Sequence, residues 1–232
     1  ITDKNNFSLN MFVPEAMSFP INFENVEENF EKLENEILNS DVITIGPGIG
    51  KSQQAFSIFE KLINIEKNNK GNTIKLVLDA DALNLLAENR ELFEKIRNRS
   101  VLTPHLVEFS RLTGFSPEVI NKNKFEIAKE FSKKYGIILL LKGKNTIITN
   151  GEELFANSTG NSHMANGGMG DCLTGIICSL AGQKYDLMKS ALIGAYLHGK
   201  IADELVRRQY TVNATDVIDN ISKYMNEIFL FR

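Results

Sequence analysis

The chain has no tryptophan, two cysteines, three histidines and five prolines in 232 residues. Cys172 and Cys178 stand six apart in one apolar segment, so there is no Cys-x-x-Cys spacing and no zinc site to expect. They read as free thiols of a reducing compartment, the cytoplasm. Charge of one sign is missing too. Lys and Arg number 26 against 29 Asp and Glu, a net charge of −3, which gives nucleic acid no basic surface. No apolar run reaches membrane-spanning length. The opening Ile1-Thr2-Asp3-Lys4-Asn5-Asn6 is polar, so no signal peptide is expected. No internal repeat, low-complexity tract or linker is visible. One domain over residues 1–232 is therefore the economical reading.

What is present is an ordinary globular composition, 43% hydrophobic and 24% charged, enough for a sizeable core. Val26, Phe30, Leu33 and Ile37 predict an amphipathic helix over Phe23–Asn39. Val42–Ile45, Ile74–Leu78, Val101–Thr103 and Ile137–Leu141 predict short buried strands. Helical spacing fills Ser52–Ile65, Ala82–Ile96, a stretch from Pro117 through Phe131, Cys172–Leu180, Leu187–Val206 and Asn213–Met225. Asn150-Gly151 predicts a two-residue hairpin turn between Asn145–Thr149 and Glu152–Phe155. Strands alternating with helices imply an α/β fold in three layers, a mainly parallel central sheet with helices on both faces.

Ligands of such sheets bind beyond the carboxyl ends of the strands. Four loops stand there: Gly46-Pro47-Gly48-Ile49-Gly50, then Asp79-Ala80-Asp81-Ala82-Leu83-Asn84, then Thr103-Pro104-His105 with Glu108, then Lys142-Gly143-Lys144-Asn145-Thr146. Each alone is a weak signal. The first could be a plain turn, Asp81 a helix cap, His105 a surface residue and Lys142-Gly143 a corner. Asp79 at a strand tip is harder to explain by capping.

Gly167-Gly168-Met169-Gly170-Asp171 is sharper, because it runs straight into an apolar helix. Glycines let backbone N–H groups turn toward an anion, and a helix N terminus adds partial positive charge. An aspartate there can take a proton from a hydroxyl attacking a phosphate. An ordinary cap needs no such run of glycines before it.

Taken together these residues resemble the ribokinase-like superfamily and, within it, the NAD(P)H-hydrate dehydratase family. Gly160-Asn161 and His198-Gly199 add to the likeness. The resemblance implies that ADP, or ATP, drives loss of water from the S epimer of hydrated NADH or NADPH. It implies Asp171 as the catalytic base and Gly167, Gly168, Met169 and Gly170 as an anion hole. Lys142, Gly143, Lys144, Asn145, Thr146 and Gly170 would hold the nucleotide. Gly48, Gly50, Asn84, His105 and Asp171 would contact the hydrated dinucleotide. It further implies magnesium with the nucleotide, a homo-oligomer such as a tetramer, and an epimerase, fused or separate. Leu106-Val107 and Ser162-His163 replace the family's frequent Pro-Gly pairs. The family's first strand, glycine turn and helix have no match before Pro14, and the chain lacks an initiating Met. Ile1 is therefore expected to lie inside a longer chain. The alternative readings are a superfamily kinase acting on a vitamin-precursor alcohol and a nucleotide-sensing module without catalysis.

Overall fold

The computed structural model describes residues 11, 13–19 and 25–229. The start of the first expected helix, at Phe23, lies outside the described residues, and the helix described, α1, is Val26–Asn39. The sheet has six strands in sequential order: β1 Val42–Ile45, β2 Lys75–Leu78, β3 Ser100–Leu102, β4 Ile138–Leu141, β5 Ile147–Thr149 and β6 Leu154–Ala156. The first four run parallel, and β5 and β6 close the sheet antiparallel.

Strand alternation sorts the core into two layers. Leu76, Leu78, Leu102, Leu139 and Leu141 meet helices α2 (Gln53–Asn64), α3 (Asp81–Glu88) and α5 (Leu106–Thr113) through Phe59, Ile63, Leu86 and Phe109. Val77, Val101, Leu140 and Ile148 face the other way, against Leu173 and Ile177 of α8 (Met169–Gly182) and Ala191 and Ala195 of α9 (Leu187–Leu205). Beyond them α10 (Ala214–Phe229) packs Val217 and Tyr224 on Ile176, Leu197 and Ile201. This is the expected three-layer α/β arrangement.

Three expectations are corrected. The helix foreseen over Ala82–Ile96 breaks at Asn89, which leaves helical geometry and bonds back through its side chain to the Leu85 carbonyl. A 3-10 turn and the short α4 (Phe93–Ile96) follow. The helix opened by Pro117 breaks at Asn123 into α6 (Pro117–Lys122) and α7 (Lys124–Tyr135), which ends on left-handed Gly136 as foreseen. The hairpin turn has four residues, 150–153, because Thr149 pairs with Leu154. Asn150 Oδ1 accepts from Glu152 and Glu153 N–H, and the Thr149 hydroxyl donates to the Glu153 carbonyl, so side chains stabilise the longer loop.

Candidate active site

All four strand-end loops reach the same rim. Their geometry starts with Gly46, at φ +137°, where a β-carbon would stand 1.7 Å from the Asp79 carbonyl oxygen. Only glycine lets the first loop lie on the second. The Gly50 N–H then donates to Asp81 Oδ2 at 3.0 Å. Asp81 is therefore not the cap of α3. Ala80 holds that place without a side-chain bond, at φ +48°, and Asp81 ties the glycine loop instead. Gly48 and Gly50 border open space. Asn84 is buried, with Oδ1 accepting from Arg111 at 2.8 Å and its amide reaching the Ala80 carbonyl and Asp81.

The Asp79 carboxylate is 1% exposed. It takes the Lys142 ammonium on Oδ1 at 2.8 Å and the Thr174 hydroxyl on Oδ2 at 2.8 Å. His105 caps α5. Its Nδ1 accepts from the N–H groups of Val107 and Glu108, while Glu108 Oε2 accepts from the His105 N–H at 2.8 Å. Nδ1 as acceptor leaves the proton of the neutral ring on Nε2, which lies 3.4 Å from Glu108 Oε1 on a side chain that stays half exposed.

The Lys142–Thr146 loop lines a cleft of about 630 Å3 together with Gly160, Asn161, Met169 and Gly170. Its backbone is held by a bond from Lys142 N–H to the Pro104 carbonyl, and Asn145 is left-handed at φ +55°. Leu173, Ala195 and His198 also line the cleft. Gly48, Gly50, Asn84 and His105 do not.

The glycine turn belongs to α8 itself. Gly168 is the N-cap at φ +81°, and Met169, Gly170 and Asp171 form the first turn. Asp171 is thus not a cap. It is exposed and, among the described residues, without a hydrogen-bond or ion-pair partner. Helix geometry leaves the N–H groups of this first turn without intrahelical acceptors, an arrangement suited to an anion. Gly170 lines this cleft while Asp171, the next residue, stands at the same helix end and borders a groove between α8 and α10.

Some contributors carry no motif. Asp203 on α9 accepts from Gly160 N–H at 2.9 Å and from the Asn161 amide at 2.8 Å, fixing that loop over the cleft. Gly199 is needed because a β-carbon there would lie 2.4 Å from Thr159 Oγ1. Among the described residues His198 Nε2 is the one buried side-chain polar atom with no partner. Burial pushes its pKa down to about 4, against an opposing pull from the Met169 backbone, so the ring is neutral. His163 is occupied elsewhere, with Nδ1 2.5 Å from the Tyr210 carbonyl. Burial, with Asp171 adjacent, raises the Cys172 thiol to about 11, which leaves it protonated. Asp203 and Thr174 sit among other helical residues and give no local signal. His198 belongs to a recognisable pair, but its burial does not show in the sequence.

Comparison with known proteins identifies the family. A bifunctional NAD(P)H-hydrate repair enzyme of Vibrio cholerae is 33% identical over 215 residues, covering 92% of this chain and 40% of that one. The chain spans about two fifths of the length of such bifunctional relatives. An ADP-dependent (S)-NAD(P)H-hydrate dehydratase of Streptococcus thermophilus is 32% identical, covering 99% of this chain and 79% of its own. A ribokinase-like superfamily protein of Enterococcus faecalis superposes with a TM-score of 0.83 at 31% identity, over 97% of this chain and 75% of that one. The family model described as NAD(P)H-hydrate dehydratase matches residues 1–223. On its fold, its glycine turn and this match, the chain belongs to the NAD(P)H-hydrate dehydratase family.

Proposed function

We propose that the protein dehydrates the S epimer of hydrated NADH or NADPH at the expense of ADP or ATP. The observation that carries this is the first turn of α8. There an exposed, unpaired Asp171 follows Gly170, which lines a cleft shared with the Lys142–Thr146 loop. Asp171 would take the proton of the ring hydroxyl. The hydroxyl oxygen forms a bond to the terminal phosphorus of the nucleotide as the bond to the bridging oxygen breaks. With ADP, AMP leaves. The carbon–oxygen bond then breaks with loss of a proton from the neighbouring ring carbon, so phosphate departs and the ring double bond returns. N–H groups of Gly167 to Gly170 would hold the moving phosphoryl group. Gly48, Gly50, His105 and Asn84 would border the dinucleotide. His105 Nε2 lies 3.4 Å from Glu108 Oε1, and the polar atoms of Asn84 are likewise engaged within the protein.

Magnesium would arrive on the nucleotide's phosphates. Among the described residues no group of three or more His, Cys, Asp or Glu is placed to hold a metal, and Asp79 is committed to Lys142 and Thr174. An epimerase, fused or separate, would supply the S form. A cytoplasmic tetramer completes the reading. No described helix is long and apolar enough to cross a membrane.

The test is to incubate the protein with hydrated NADH and ADP and follow the absorbance of reduced nicotinamide. Its return with release of AMP and phosphate is expected. No return, with phosphorylation of a vitamin-precursor alcohol instead, would establish the kinase reading in its place.

A further inference from the structure

Asp79 takes no part in the chemistry just described, yet it is the most deeply buried acid among the described residues. Burying an ion pair costs free energy that an apolar pair of similar size would not. Fold stability alone is therefore a poor reason for this pair. Its position is more informative. A β-carbon on Gly170 would lie 3.2 Å from Lys142 Nζ and 3.7 Å from Asp79 Oδ2. The pair thus sits directly beneath the first turn of α8. It joins the tip of β2, the end of β4 and, through Thr174, α8 itself. Lys142 is the less covered partner, with a side chain 20% exposed against 1% for Asp79. It is also the partner that lines the cleft.

We infer that Asp79 is a positioning residue for phosphoryl transfer, holding the Lys142 ammonium under Gly170 so that it meets the terminal phosphoryl group of the bound nucleotide. This rests on the phosphoryl-transfer reading of the site. A lysine is a flexible point charge, and fixing it before the ligand arrives moves the ordering cost into folding. Thr174 holds the second carboxylate oxygen, so Asp79 cannot swing to follow the cation. The nucleotide is thereby oriented. Its terminal phosphate lies at Lys142 and Gly170, and the acceptor hydroxyl lies on the Asp171 side.

ADP and AMP differ by the group in question, so calorimetry on the intact protein with each is the test, alongside turnover of hydrated NADH. Wild type should favour ADP, and equal binding of the two would overturn the inference. Asp79→Asn keeps the shape and an acceptor for Thr174. It should cut the ADP-over-AMP preference about tenfold. It should also lower kcat about a hundredfold while KM for the dinucleotide stays within about twofold. If Asp79 merely neutralised Lys142, its loss would free the cation and strengthen ADP binding, so an unchanged or raised preference overturns the inference. Should the unpaired lysine prevent folding, the double variant Asp79→Asn with Lys142→Met removes both charges. It must lose the ADP preference, and retention of that preference overturns the inference. A preference that responds as stated, in a protein that never restores NADH, supports the positioning role and defeats the dehydratase reading. Restored NADH with an unaltered preference defeats the positioning role alone.

Discussion

Both ends of the central sheet bury a charge, and they settle it differently. At the amino end, Arg99 precedes β3 and is 4% exposed. Its guanidinium donates to the carbonyls of Ile63, Ile65, Ile74 and Lys95. Burial draws it below its ordinary pKa, but a guanidinium stays protonated. Every one of these partners is backbone, and this end ties together the chain entering β2 and β3. At the carboxyl end Asp79 and Lys142 answer each other, and Lys142 keeps a side toward the cleft. The closed charge ties strand-entering segments together, and the partly open one faces the cleft.

The comparison can be broken most severely at the open end. Asp171→Asn should lower dehydration roughly a thousandfold or more, with ADP affinity and melting temperature nearly unchanged. Recovery of reduced-nicotinamide absorbance and calorimetry report the two. A falling melting temperature with lost nucleotide binding would make Asp171 a structural residue.

The closed end should show the reverse. Arg99→Met leaves carbonyls buried without donors and should cost about 3 kcal/mol or more in urea unfolding. The ADP-over-AMP preference of the folded protein should not move.

His198 sharpens the contrast, since it lines the open end but is buried like a closed group. Its folded pKa of about 4 lies below the ordinary 6.5. Between those values the unfolded chain binds a proton that the native state refuses. Stability should therefore fall as pH drops from about 6.5 to about 4, by up to about 3 kcal/mol, and His198 should add no further loss below that. Urea midpoints across this range check it, and His198→Leu should flatten the slope.

The smallest effect is expected at Gly199. An alanine there must push the Thr159–Gly160 loop away from α9 and should weaken ADP binding about tenfold by calorimetry.

Local pattern carried much of this. Short aliphatic runs alternating with helically spaced segments marked the parallel sheet, and loops after strands marked the rim, because backbone periodicity needs no distant partner. The breaks at Asn89 and Asn123 were hidden, since both stretches keep helical apolar spacing on either side. The glycine turn was legible as the start of an apolar helix because its glycines and the residues after them are consecutive. The Asp79–Lys142 bond joins residues 63 apart, and the Asp203 bond to Gly160 spans 43. Such pairings exist only once topology sets the loops side by side. Asp79 could be noticed as an oddity at a strand tip, but its partner could not.

Gly46 has a mechanical consequence. Its α-carbon rests where only a hydrogen fits against the Asp79 carbonyl, and the Asp79 N–H is tied to the Ile45 carbonyl at 3.2 Å. The two loops are geared together, with no slack between them. A displacement of the first reaches Asp79, and through it the Lys142 ammonium across the rim.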